Sequence, residues 1–210
     1  MSEKPILFSA PMVRAILAGR KTMTRRALKN QPVELPDFNK GSLSICVGGS
    51  KYTAFQPEIT ALHCPHGKPG DRLWVRESWR VSNAYDHLPP RDIPQWSPVE
   101  YEATSIVANK NVLGKLRPSI FMPRWASRIN LELTEIRVER LNKISNTDIL
   151  REGIRSESCN VCVHTGGSGC EHCFSILNPF RELWDSINGS TPGKAWDDNP
   201  FVFVESFKVV

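Results

Sequence analysis

The sequence predicts an α+β fold: a small β-barrel or curled sheet with short flanking helices, long loop insertions and a zinc-bound loop. Residues 128–140 carry the first sign, because Ile129, Leu131, Leu133, Ile136 and Val138 alternate with polar neighbours as in a half-buried strand, with a slip near Thr134. Phe201-Val202-Phe203-Val204-Glu205-Ser206-Phe207 is the second, an apolar closing strand. The third is the helical spacing of Phe180, Leu183, Trp184 and Ile187. With 210 residues, 40% of them hydrophobic, the chain can bury one good core, so residues 1–210 are expected to form a single domain.

Taken in order, Pro5 to Ser9 predicts a short strand, and Pro11 suits the first position of a helix running through Ile16 and Leu17. Gly19 can close that helix in a left-handed conformation. The octapeptide Gly19-Arg20-Lys21-Thr22-Met23-Thr24-Arg25-Arg26 then packs an amine, two hydroxyls and three guanidinium groups just past the helix end. A strand there would send Lys21 and Thr24 to different faces, whereas a turn or bulge would let both reach one ligand. From about residue 30 to 62 the chain is rich in Pro, Gly, Ser and Lys and is read as an insertion, extending to about residue 68.

Pro69-Gly70-Asp71 signals a turn, and Leu73-Trp74-Val75-Arg76-Glu77-Ser78-Trp79 has the composition of a strand. Four prolines, at 89, 90, 94 and 98, break regular structure in a second insertion at about 81–118. Ser145 or Asn146 caps a short helix through Ile149 and Leu150 that ends at Gly153, placing Glu152 in its last turn. A third insertion, at about 155–176, holds most of the cysteines.

The 27 basic and 22 acidic side chains leave a formal charge of +5, which favours anionic partners such as nucleic acid. Glu3, Lys4, Arg14 and Arg20 interrupt any signal-peptide core, and no apolar run is long enough for a bilayer, so a cytoplasmic location and no membrane partner are expected. In that reducing compartment six cysteines point to metal, reactivity or core packing before disulfides.

Cys159, Cys162, Cys170 and Cys173 form two CxxC pairs separated by seven residues, including Gly166, Gly167 and Gly169. Each pair offers two thiolates to one tetrahedral ion, and a closed structural Zn(2+) site follows. Free thiols or disulfides are the competing reading. His164 and His172 could replace a cysteine but suit an exposed loop equally. Cys46 has no such partner, and Cys64, in His63-Cys64-Pro65-His66, fits either a metal ligand or a packed thiol.

Lys4-Pro5-Ile6-Leu7-Phe8-Ser9, Leu17 to Thr24, the Pro69 to Glu77 turn and strand, and the strand from Phe201 to Val209 together resemble the ASCH domain family, in the same order. The resemblance covers roughly Pro5 to Leu28, Pro69 to Arg80, Trp125 to Ile154 and Asn178 to Val210. It implies a PUA-like β-barrel and recognition of RNA, more than DNA, or of a modified nucleobase or nucleoside. Trp184-Asp185-Ser186-Ile187-Asn188 and Trp196-Asp197-Asp198-Asn199-Pro200 look like the longer members found in phages and prophages. Small bacterial members hydrolyse the amide of N4-acetylcytidine with a lysine, a threonine three residues on, and a glutamate after the central strand. Lys21, Thr24 and Glu152 fall at those positions.

The residue types suit an amidohydrolase acting on N4-acylated cytosine or cytidine. Thr24 could attack an acyl carbonyl, with a desolvated Lys21 as base and Glu152 orienting the lysine or protonating the leaving amine. Arg20, Arg25, Arg26 and Arg76 would bind substrate by holding a phosphate or the oxyanion, and Glu77 is a second carboxylate. A strand start and a solvated helix end explain the same residues without catalysis. The alternative function is then a non-catalytic, zinc-stabilised phage or prophage interaction protein. Of the six tryptophans at most one is expected to stack a base, and Arg117, Arg124 and Arg128 would supply a basic rim.

Overall fold

The computed structural model describes residues 3–34, 43–47, 51–54, 56–105, 112–155 and 176–210. It is a mixed α+β structure that begins with β1 (Glu3–Leu7), α1 (Ala10–Leu17), β2 (Met23–Ala27), β3 (Val33–Glu34), β4 (Leu43–Val47), β5 (Lys51–Ala54) and α2 (Pro57–Ala61). There follow β6 (Arg72–Arg76), β7 (Trp79–Arg80), β8 (Glu100–Tyr101), β9 (Asn130–Arg140), α3 (Asn146–Arg151), α4 (Leu177–Asn188) and β10 (Phe201–Val209). A mixed five-stranded sheet runs in the order β1-β6-β9-β10-β2. None of the described helices is long and apolar enough to cross a membrane.

The expected closed barrel does not form among the described residues, because the sheet ends on β1 and β2. At the β2 end a helix takes the place of a further strand: the Thr22 N–H donates to the Arg151 carbonyl at the end of α3, at 2.9 Å. The insertion read as irregular between residues 30 and 68 also carries regular structure, a three-stranded sheet β3-β4-β5. Its antiparallel pairs set Ile45 opposite Thr53 and Cys46 opposite Tyr52, so β-forming residues outweigh the loop composition around them.

The chain divides into two compact units, Met1–Lys21 with Pro65–Thr134 and Phe207–Val210, and Thr22–Cys64 with Glu135–Ser206. In the first, β1 lies parallel to β6, and β6 pairs antiparallel with the start of β9. Helix α1 follows Ser9, has its proline in the first turn, and ends where Gly19 takes φ 69°, a conformation open to glycine at little steric cost. Among the described residues of the segment after β7, 3-10 turns at Asn83–Tyr85, Pro90–Asp92, Ser119–Phe121 and Arg124–Ala126 flank the short β8, in keeping with its prolines. Its core holds Trp79, Val81, Ile93, Met122 and Ala126.

In the second unit β10 pairs antiparallel with β2. The start of α3 is held by Ser145, whose hydroxyl accepts the Asp148 N–H at 3.1 Å, a cap worth about 1 kcal/mol. One core cluster joins Met23, Val202 and Val204 to Ile149 of α3 and to Phe180 and Trp184 of α4. A second contains Leu28, Cys64, Val138, Phe201 and Phe203. Along β9 the buried positions pass from Leu131 and Leu133 to the even-numbered Val138 after exposed Thr134 and Glu135, where the alternation of the sequence slips.

Candidate functional site

The β2–β10 ladder sorts the polar residues of the second unit onto two faces. Directly paired residues of an antiparallel ladder share a face. Val204 is opposite Arg25, and Glu205 is opposite Thr24, so Thr24, Arg26, Phe203 and Glu205 lie on one face and Met23, Arg25 and Val204 on the other.

Arg25 is almost entirely enclosed and surrounded by acids. Its Nη2 lies 2.7 Å from a Glu139 carboxylate oxygen and 2.7 Å from one of Asp148, and its Nη1 lies 3.4 Å from Glu152. Arg137 shares two of these partners, reaching Asp148 at 2.8 Å and Glu139 at 3.2 Å. The guanidinium expected to draw a substrate anion is thus occupied by carboxylates, and it fixes where Glu152 sits.

On the opposite face Thr24 is 3% exposed, and Glu205, across the ladder from it, is wholly buried. Burial holds the Arg26 guanidinium below its ordinary pKa, and the carboxylates of Glu205 and Glu152 work against that shift by favouring its charge. The Cys64 thiol lies 3.4 Å from a Glu205 oxygen. A thiol and a carboxylate in contact are two of the donor types that zinc takes, and an imidazole, His66, follows Cys64 by two residues.

Glu205 is the residue that sequence reasoning passed over. Its signal is a lone acid within Phe201-Val202-Phe203-Val204-Glu205-Ser206-Phe207, in phase with the inward phenylalanines. A carboxylate at such a position costs desolvation unless something ionic or hydrogen-bonded meets it.

In the first unit Lys21 is 1% exposed, with its Nζ 5.6 Å from the centre of the Phe8 ring. The backbone N–H groups of Arg20 and Lys21 both donate to the Ala15 carbonyl, at 2.9 and 3.0 Å, so α1 itself ties down the segment that carries the lysine. Lys21 precedes β2 and Thr24 lies within it, so the coil between α1 and β2 frees the lysine from strand alternation.

Glu77 falls between β6 and β7, buried, and accepts two hydrogen bonds from Arg128, at 2.9 and 3.0 Å. Arg128 also donates to the Thr104 hydroxyl and covers the Tyr101 ring at 3.9 Å. Burial pushes the Tyr101 phenol up, and its hydroxyl donates to the Ala126 carbonyl at 2.9 Å. Arg76 donates to the Ile120 carbonyl at 3.2 Å and lies 4.6 Å from the Trp74 ring.

Compared with protein-family models, with curated proteins and with solved structures, the chain matches none. The reading of the site therefore rests on its own chemistry. The second unit brings together Thr24, Arg26 and Glu205 on one ladder face, and Arg25 with Glu152 through α3. A hydroxyl, guanidinium and carboxylates in such surroundings can grip a polar heterocycle, because carboxylates accept hydrogen bonds from an exocyclic amine such as N4 of cytosine. The four cysteines of the two CxxC pairs, with His164 and His172, lie outside the described residues. Among the tryptophans Trp74, Trp79, Trp184 and Trp196 are buried, while Trp96 is 77% exposed.

Proposed function

We propose that this chain is an ASCH-type, PUA-like protein that binds N4-acylated cytosine, as a nucleoside or within RNA, and hydrolyses its amide in the cytoplasm. The observation that carries this reading is the burial of Thr24, Glu152 and Glu205 in one unit, where each polar group costs desolvation. The burial of Lys21, three residues before Thr24, adds to it, since a buried amine is costly to keep without a role or a partner.

In the proposed reaction the Thr24 oxygen attacks the acyl carbon while its proton passes to Lys21. The carbon–N4 bond then breaks as Lys21 passes that proton to the leaving amine, with the Glu152 carboxylate as the group that orients it. Water cleaves the resulting ester, restoring the threonine and releasing the carboxylic acid. Arg26 and Glu205 orient the base, and Arg25 positions Glu152 through their ion pair.

Turnover of N4-acetylcytidine and of analogues with larger acyl groups, followed chromatographically, tests the reading. The wild type is expected to release cytidine, and Lys21→Ala to lose about 100-fold or more in rate with an unchanged far-ultraviolet spectrum. Acylcytidines that stay intact with the wild type would remove the hydrolase, and failure to bind them by calorimetry would remove the nucleobase site too. The non-catalytic alternative would then stand.

The zinc assignment belongs to the same proposal: Cys159, Cys162, Cys170 and Cys173 hold one structural ion. Protein purified without chelator is expected to carry about one zinc per chain, lost on replacing Cys159 and Cys170 by serine. Equal zinc in that double variant would sink it.

A further inference from the structure

The outward face of the β1–β6 ladder has a composition that neither catalysis nor the core accounts for. The register pairs Glu3 with Arg72, Pro5 with Trp74 and Leu7 with Arg76, while Ile6, Leu73 and Val75 are buried. Trp74 is flanked by two guanidinium groups, Arg76 at 4.6 Å and Arg124 at 5.8 Å from its ring. Beside them the 3-10 turn Ser119–Phe121 leaves Ile120 57% and Phe121 59% exposed. That turn is braced from below, because Arg76 donates to the Ile120 carbonyl.

Charge on this face is unbalanced. Glu3 meets Arg124 at 3.1 Å and Glu132 meets Lys208 at 2.9 Å, while the register sets Arg72 between these two acids; among the described residues four cations, Arg72, Arg76, Arg124 and Lys208, thus face two carboxylates. An exposed ring held rigidly beside surplus guanidinium groups suits a polyanion that also offers flat apolar faces. Single-stranded nucleic acid has both, with phosphates for the arginines and unpaired bases for the ring. Duplex hides its base faces, and the turn offers no helix or two-stranded ribbon to enter a groove.

We propose that this face, formed by Arg72, Arg76, Arg124, Ile120 and Phe121, binds single-stranded nucleic acid, with a base stacked on Phe121. The site does not depend on the proposed hydrolysis, and a mononucleoside assay bears on that reaction alone.

The test is a fluorescence-anisotropy titration of the full chain with labelled oligouridylate and oligothymidylate, at about 50 and 200 mM salt. Phe121→Ala, a truncation of an exposed side chain, is expected to weaken binding about tenfold. Arg72→Ala should lower the salt slope by about one. Trp96→Ala, which removes another exposed ring, should bind as the wild type does. Wild-type binding by Phe121→Ala, an equal loss in Trp96→Ala, or no binding to either oligonucleotide at the lower salt would overturn the proposal. So would binding to anionic phospholipid vesicles in place of oligonucleotides, which would make the face a membrane contact.

Discussion

Replacing Arg25 by alanine is expected to cost the protein about 3 to 5 kcal/mol, the range for removing one partner from a buried ionic cluster. The arginine side chain is 1% exposed, and its truncation would leave Glu139, Asp148 and Glu152 facing one another with Arg137 as the cation that still contacts Asp148 and Glu139. Three carboxylates close together repel, and their burial denies them the water that would screen the repulsion. Arg137→Ala is the internal comparison. It touches two of the same acids but is 33% exposed, so water replaces much of what it supplied, and its loss should be well under half as large. Guanidinium or urea denaturation of both variants checks the order. An Arg137→Ala loss equal to that of Arg25→Ala would show that the cluster does not depend on its buried member. Because Arg25 also holds Glu152 in place, the same variant should lower the turnover of any acylcytidine that the wild type cleaves.

Much of the local structure was legible in the sequence, because it follows from contacts within a few residues. Pro11 and Gly19 bracket α1, Ser145 caps α3, and Gly153 follows it at φ 90°. The alternation of β9 and even its slip at Thr134 could be read off directly, since a two-residue period needs no knowledge of partners. What escaped was whatever depends on distant partners. The strand Met23–Ala27 reveals that Arg25 points to one face and Arg26 to the other, but not that the first would meet Glu139, Asp148 and Glu152, over a hundred residues on. Sequence alone consequently groups Arg25 with Arg20, Arg26 and Arg76 as anion binders. Glu205 escaped for the same reason: its role follows from the register that sets it against Thr24. The absence of closure among the described strands is a third case, because strand composition carries no information on which edge a helix such as α3 will occupy.

Trp79→Ala should be comparably damaging in the other unit, with a loss of about 3 to 5 kcal/mol, as for removal of a large core aromatic. Trp79 is wholly buried, packs edge-on against Trp125 at 6.0 Å between ring centres, and exchanges both backbone hydrogen bonds with Arg117. Those backbone bonds survive a side-chain substitution, so the loss measures the ring alone. One detail separates its volume from its polarity: the indole Nε1 is buried with no hydrogen-bond partner among the described residues. A buried donor without an acceptor costs free energy in the folded state, and phenylalanine removes it while retaining most of the apolar contact. Trp79→Phe should therefore lose well under half of what Trp79→Ala loses, the relief of the desolvated N–H offsetting part of the smaller ring. Equal losses in a denaturant titration would mean that the nitrogen is bonded after all, and that Val81, Ile93, Met122 and Ala126 pack around a polar anchor.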